Sequence, residues 1–252
     1  MCRTCGCSEH HLVQEPHLTH EQMHTWGIEH HHHPENRSVI EVEKDILSHN
    51  NHMAERIRGY LDARNIYAIN LVSSPGSGKT SLLEATIKAL TGKIEMGVIE
   101  GDQHTSNDAK RIMDLGVHTV QINTETGCHL EAGEIYNTIK QMNLPTDSLL
   151  FIENIGNLVC PALFDLGENE RAVMISVTEG DDKPLKYPYM FESAHTCIIN
   201  KIDLLPYLQC NIEEIKQNAL SINPHLLFFE VSALQGIGME NWISHLLQHT
   251  QS

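Results

Sequence analysis

Basic side chains are scarce in this chain. Only 17 Lys and Arg stand against 33 Asp and Glu among 252 residues, a formal net charge of −16. Phosphate neutralisation needs Lys and Arg, so no nucleic-acid partner is expected. Long apolar runs are also missing. Nothing approaches the ~18 consecutive apolar residues that read as a membrane-crossing helix, so no membrane span is expected. No basic and then apolar leader opens the sequence, so no secretory signal is expected either. The seven cysteines are odd in number, and three fall within the first seven residues. Such clustering fits free thiols or metal ligands in a reducing compartment better than a disulfide framework, and it implies a cytoplasmic location.

Histidine is what the chain has in excess: 18 in all, 11 of them before residue 53. Residues 1–38 hold few and scattered apolar side chains (Leu12, Val13, Leu18, Met23, Trp26 and Ile28). They bury too little to offset backbone ordering, and the segment is expected to be disordered without metal. The pattern changes at residue 39. Val39, Val42, Ile46, Met53, Ile57, Tyr60 and Leu61 recur at helical spacing and predict an amphipathic helix over 39–64 that packs on the domain after it.

From residue 65 to 252, short apolar strands alternate with helical patterns. Strands are expected at 68–72, 97–100, 117–122, 149–152, 172–177, 196–199 and 227–231. Helices are expected at 80–90, 106–115, 130–142, 212–221 and 239–248. Alternation of this kind predicts an α/β domain with a mostly parallel sheet covered by helices on both faces. Its functional loops should lie at the carboxyl ends of the strands.

The first strand runs directly into Ser73-Ser74-Pro75-Gly76-Ser77-Gly78-Lys79-Thr80-Ser81, and a helix comes next. A strand, a Gly-Lys-Thr turn and a helix are the context of a P-loop. Backbone N–H groups at the turn and helix start converge on phosphate oxygens, Gly76 and Gly78 allow close approach, and Lys79 supplies charge to the β- and γ-phosphates. The Thr80 hydroxyl is the expected Mg²⁺ ligand. Ser73 occupies the place where the usual pattern begins with Gly.

The nucleotide is expected to be GTP. Strand 196–199 ends in Asn200-Lys201-Ile202-Asp203, and strand 227–231 ends in Ser232-Ala233-Leu234. Guanine presents two N–H donors to one carboxylate, and Asp203 can accept both. Adenine would leave that carboxylate desolvated and unpaired. Asn200 can brace the loop or touch the base, the Lys201 stem can cover the ring, and the Ala233 N–H is the expected partner of the guanine oxygen. Two other strands lead into acids, Glu100-Gly101-Asp102 and Glu153-Asn154-Ile155-Gly156. Asp102 and Glu153 are candidates for the Mg²⁺ shell and catalysis beside Lys79. Glu100 is open to a simpler role as a helix cap. No in-cis arginine finger stands out, so slow intrinsic hydrolysis is expected.

Three groups of metal-type ligands stand along the chain. Cys2-x-x-Cys5-Gly6-Cys7 can wrap a late transition metal: Ni²⁺ if the α-amino nitrogen completes a tetragonal set, Zn²⁺ if a histidine completes a tetrahedral one. The nine histidines between His10 and His33 bind Ni, Zn and Cu alike, and suit storage or local concentration. Cys128-His129 and Cys160 form the third group, and spacing alone leaves them open to a core or surface role.

In their order, these motifs closely resemble the hydrogenase nickel-incorporation GTPases of the HypB family. The resemblance rests on Cys2 to Cys7, the His-rich tract, residues 74–80, Glu100-Gly101-Asp102, Gly127-Cys128-His129-Leu130, Glu153 to Pro161 and Asn200 to Asp203. It implies that Cys128, His129 and Cys160 form a Ni²⁺ or Zn²⁺ site in the GTPase domain. It further implies a nucleotide-dependent homodimer with that site near the subunit contact. The implied partners are a HypA-type nickel-binding protein and a hydrogenase large-subunit precursor. Related dimerising GTPases reach across to the partner nucleotide with an early P-loop lysine. Ser73 and Ser74 take that place here, which leaves Lys183 as a candidate for the contact or as a solvated loop charge. A storage protein and a maturation GTPase for another metalloenzyme such as urease are the competing functions.

Overall fold

The computed structural model describes residues 39–102, 107–124 and 127–249, with side chains placed from residue 44 onward except at residue 107. Cys2, Cys5, Cys7, the histidines of 10–33 and His104 lie outside the described residues. From Leu47 onward the chain forms one compact unit.

A helix, α1 (Val39–Ala63), precedes the sheet. Seven strands come after it: β1 (Tyr67–Ser73), β2 (Met96–Asp102), β3 (His118–Asn123), β4 (Leu149–Gly156), β5 (Glu170–Ser176), β6 (Thr196–Asn200) and β7 (Leu227–Glu230). They lie in the order β3-β2-β4-β1-β5-β6-β7, and every pairing is parallel. The sheet is thus wholly rather than mostly parallel. Successive residues of β1 explain why it reads as a continuous apolar run. Ile69 and Leu71 point into one core, with helix α2 (Lys79–Leu90) and helix α9 (Met239–Gln248). Ala68 and Val72 point to the opposite face. Both faces are covered, so both parities are mainly apolar, and the polar exception, Asn70, donates to Glu168 at 3.0 Å.

The expected amphipathic helix is present, and from Leu47 on it does what its periodicity predicts. Ala54, Ile57 and Leu61 are fully buried beneath it, against the face that carries Ala68, Leu150 and Ile152. Helix α4 (Ala132–Met142) covers the same face with Ile135 and Ile139. Asn50 joins the two: its Nδ2 donates to the Asp165 carbonyl at 2.7 Å, and its Oδ1 accepts from the Ala132 N–H at 2.9 Å. On the other face Trp242 of α9 is the largest fully buried side chain, and its indole N–H donates to Thr86 Oγ1 at 3.0 Å. Burial of such a ring stabilises by roughly 1.5–3 kcal/mol or more, and the hydrogen bond removes the cost of its polar edge.

Several boundaries differ from expectation for identifiable reasons. β4 does not stop at Ile152 but continues to Gly156, with an irregularity in its pairing to β1 between Leu71 and Ser73. β5 begins two residues early, at Glu170-Arg171, because both charged side chains find buried partners: Arg171 pairs with Glu168 at 2.8 Å, and Glu170 accepts from Thr196. Helix α3 (Asn107–Met113) is shorter than the expected 106–115. Three short helices, α5 (Cys160–Leu163), α6 (Lys183–Lys186) and α7 (Pro188–Glu192), lie outside the sequence expectation. The same holds for the 3₁₀ turn Ile202–Tyr207. Four to six residues cannot show a helical period. Helix α8 (Ile212–Ile222) lies where expected.

The Asn50 link sets a test of the helix packing. Asn50→Ala strands a buried N–H and a carbonyl, which costs about 1–3 kcal/mol for each group left unpaired. Urea denaturation should show a lower midpoint with an unchanged m-value. An unchanged midpoint would mean that α1 contributes little to the unit.

Candidate functional site

The carboxyl ends of β1, β2 and β4 enclose a cavity of about 340 Å³ lined by Gly76 to Ser81, Glu100 to Asp102, Asp108, Arg111 and Glu153 to Gly156. The loop from Ser73 to Thr80 joins β1 to α2, as the strand–turn–helix pattern requires. Gly76 and Gly78 have φ of +75° and +100°, which an L side chain adopts only under strain. Gly78 is further constrained by space, since a Cβ there would lie 2.6 Å from Asn200 Nδ2. The Lys79 ammonium donates to Ser73 Oγ at 2.8 Å. Burial lowers its pKa, while the carboxylates of Glu153, Asp108 and Glu100 oppose that shift.

Thr80 and Glu153 meet as the motif spacing predicts: Thr80 Oγ1 donates to Glu153 Oε1 at 2.8 Å. Glu100 is not a helix cap. It lies inside β2, directly across the β2–β4 pairing from Glu153, on the cavity wall. Asp102, two residues along β2, shares its side of the strand and lines the same cavity. Burial first, and then the charge of Glu153, pushes the Glu100 carboxyl up to about 8. Burial raises Glu153 as well, against the pull of Lys79. Glu100 Oε2 and Glu153 Oε2 are buried with no hydrogen-bond partner. Two oxygen donors without partners, beside a threonine hydroxyl and a phosphate-type loop, fit the all-oxygen preference of Mg²⁺. Arg111 and Asp108 of α3 are site residues that the motifs do not reveal. Arg111 pairs with Glu84 at 2.9 Å and with Asp108 at 3.0 Å, and its charge reaches Glu153. Their only signal in the sequence is the i,i+3 spacing of Asp108 and Arg111 at a helix start.

The base-reading elements also converge. Asn200 Nδ2 donates to the Ser77 carbonyl at 2.9 Å, and Asn200 Oδ1 accepts from the Ala233 N–H at 3.1 Å. Asn200 therefore braces the phosphate loop against the segment after β7, and the Ala233 amide expected to face the base is engaged by that brace. Lys201, in the left-handed region at φ +64°, lays its ammonium on the Gly76 carbonyl at 2.6 Å. Asp203 Oδ2 accepts from Gln235 Nε2 at 3.3 Å, beside the exposed Leu234 and the buried Ser232.

The third ligand group assembles beyond the end of β4. One donor atom each from Cys128, His129 and Cys160 lie within 4.8 Å of one another. Cys128 Sγ is 3.6 Å from His129 Nδ1. His129 is buried and stacks on Phe164 at 3.7 Å, and its Nε2 has no hydrogen-bond partner. Burial lowers its pKa, against the weaker pull of Glu131, and so favours the neutral imidazole that binds metal. Two sulfurs and one nitrogen suit Ni²⁺ or Zn²⁺. Their convergence makes these three residues a candidate metal site.

Residues 67–230 match the family described as CobW/HypB/UreG, nucleotide-binding domain. The hydrogenase maturation factor HypB of Escherichia coli K12 is 42% identical over 98% of each chain. That of Rhizobium leguminosarum is 52% identical, over 82% of this chain and 70% of its own length. The chain belongs to the HypB family of hydrogenase maturation GTPases. A solved structure of Helicobacter pylori HypB in complex with nickel superposes with a TM-score of 0.75 at 34% identity, covering 81% of this chain and 95% of that one. Among the described residues no helix is long and apolar enough to cross a membrane.

Lys183 does not project freely in this HypB-family chain. Its ammonium pairs with Glu179 at 3.0 Å and lies over the Tyr187 ring at 4.8 Å. Any reach toward a partner's nucleotide would have to break both contacts.

The Glu100–Glu153 corner gives a pH prediction. The folded pKa of Glu100, about 8, lies above its usual value of 4.5. The stability contributed by its protonated form is therefore complete below about pH 4.5 and is lost as pH rises through about 8. A cation bound there must displace the proton. Calorimetry of Mg²⁺–GDP binding at pH 7, in buffers of different ionisation enthalpy, should show release of close to one proton per chain. Glu100→Gln should reduce that release, and what remains would come from Glu153, whose pKa is also raised. No proton release by the unaltered chain would contradict the shift.

Proposed function

We propose that this chain binds and hydrolyses GTP with Mg²⁺ as a switch that controls nickel held at Cys128, His129 and Cys160, for insertion into a [NiFe] hydrogenase precursor in the cytoplasm. The observation that carries this reading is the course of β4. Glu153 accepts from Thr80; three residues on, Gly156 runs so close to the phosphate loop that a Cβ would lie 3.2 Å from Pro75 Cα. Asn157 then donates to the Cys128 carbonyl at 3.4 Å, and Cys160 opens α5. One short segment thus touches both the nucleotide loop and the metal ligands.

Gly76, Ser77, Gly78, Lys79, Thr80 and Ser81 hold the phosphates. Asp203 reads guanine, while Asn200, Lys201, Ser232, Ala233 and Leu234 shape the base pocket. Thr80, Asp102 and Glu153 would hold Mg²⁺, with Glu100 beside them; when bound, the ion neutralises charge on the phosphate oxygens. Lys79 stabilises the transferred group, and Asp102 orients water. With GTP bound, the Gly156 N–H faces the γ-phosphate, and the Asn157 link carries that change to Cys128. The exposed Val159 and Leu163, which flank Cys160, are the apolar rim that a second copy of the chain would cover in a nucleotide-dependent homodimer. Cys2, Cys5, Cys7 and the His-rich tract collect nickel, or zinc in its place. A HypA-type protein and the hydrogenase large-subunit precursor are the partners on either side of transfer.

Two experiments test this. Ni²⁺ is titrated into the chain carrying Cys2, Cys5 and Cys7 replaced by Ser, with the Ni–thiolate absorption read from Cys128 and Cys160. GDP and a non-hydrolysable GTP analogue should give affinities that differ by about fivefold or more, a coupling near 1 kcal/mol. Asn157→Ala should narrow the gap. Equal affinities would sink the coupling, because linkage requires differential binding. In cells, deletion of the gene should abolish hydrogenase activity until nickel is added in excess. Intact hydrogenase with lost urease would move the function to another enzyme.

A further inference from the structure

The first residues of three neighbouring strands meet the end of the last helix at the sheet edge opposite the nucleotide cavity. Tyr67 opens β1, Glu170 opens β5 and Thr196 opens β6. The Glu170 side chain is 3% exposed. Its Oε1 accepts from the Thr196 hydroxyl, and its Oε2 accepts from the Tyr67 hydroxyl at 2.9 Å. His245 Nε2 lies 2.9 Å from the same Oε2. His249 stands four residues later at the C-cap of α9, so the two imidazoles share one helix face. Their rings are 4.9 Å apart. One donor atom from each of Glu170, His245 and His249 lies within 4.8 Å of the others.

We propose that Glu170, His245 and His249 form a further divalent-metal site, of N₂O donor type, that takes Zn²⁺ or Ni²⁺. Two imidazoles and one carboxylate are a known three-ligand set for such ions and leave a position open to water. The outer contacts are those a metal site needs. Tyr67 and Thr196 fix the carboxylate, Phe229 packs on His245 at 5.1 Å, and Tyr67 stacks on His249 at 4.5 Å with the planes 7° apart. Glu170 is buried, His245 is partly buried, and His249 is exposed and provides the entry path. An ion pair that only locks α9 to the sheet would account for Glu170 and His245. It would not account for a second imidazole brought to the same point. No thiolate takes part, so the site is harder than the one at Cys128, His129 and Cys160. It also lies at the other end of the strands, seven residues of β1 away from the nucleotide loop, or roughly 20 Å.

Hydrogen–deuterium exchange at the histidine C2 position, read by mass spectrometry on the full chain, resolves each imidazole separately. Free Zn²⁺, and in a second series free Ni²⁺, is set by a chelating buffer, so that the other sites do not distort the titration. Exchange at His245 and His249 should slow together with one midpoint. His249→Ala, at an exposed position, should shift the His245 midpoint by about tenfold or more, and Glu170→Gln should shift both by a similar factor. Slowing in the Zn²⁺ series alone, or the Ni²⁺ series alone, supports the site and names its ion. The proposal is overturned if neither ion slows exchange at His249, or if the His245 midpoint is the same in the chain carrying His249→Ala.

Discussion

Two carboxylates on neighbouring parallel strands, Glu100 and Glu153, stand directly opposite one another and are almost wholly buried. Parallel pairing puts them about 4.8 Å apart along the hydrogen-bonding direction and on the same side of the sheet. Neither can ionise fully beside the other without a compensating charge. Lys79, delivered by the phosphate loop, supplies part of that charge, and Arg111 adds more from α3. The rest is relieved by a proton or a cation. The loop, both acidic strand ends and α3 therefore make electrostatic sense only as one assembly. Burial and mutual repulsion raise the pKa of both carboxyls at this corner, so protonation and a bound cation compete there.

The same strand carries that corner toward the sulfur ligands. Beyond Glu153, β4 loses its regular register with β1, and the irregularity sits where Gly156 passes Pro75. A strand locked along its whole length could not move at one end without moving the sheet. A strand whose last residues are held by Asn157 and a few turn contacts can. At the far end His129 Nε2 is buried without a hydrogen-bond partner, 3.9 Å from Glu131 Oε1. The proposed coupling needs an element that both ligands bias, and residues 153–160 are the segment that touches both the phosphate loop and the sulfur ligands.

Much of this arrangement is legible in the sequence. Short runs of four to six residues locate all seven strands, and the inner strands, buried on both faces, leave little room for polar alternation. Thr80 with Glu153, and Cys128 and His129 with Cys160, stand out by their order along the chain and meet in space. The illegible parts share a cause. Glu100, Arg171 and Glu170 are charged residues inside buried strands, and a charge reads as a loop or cap unless its partner is known. Arg171 is neutralised by Glu168, and Glu170 is hydrogen-bonded by Tyr67 and Thr196. Those partners are distant or non-periodic in sequence. The pair His245 and His249 carries a readable i,i+4 spacing, but its third member stands on β5, and only the fold brings it there.

The acidic and histidine-rich composition therefore divides by place in the fold. The acids that matter crowd the carboxyl ends of β2 and β4, where a helix start and a lysine offset them. Glu170 at the opposite sheet edge is held by hydroxyls and an imidazole, and its pKa is lowered despite burial, because His245, Thr196 and Tyr67 all favour the ionised form. One carboxylate pair is thus built to be uncomfortable until a cation arrives, while a single carboxylate elsewhere is held ready as an anion. The difference lies in partners rather than in residue type. A parallel sheet produces both conditions at once, since its carboxyl ends gather loops and its amino ends gather the first residues of strands and the last turn of a helix.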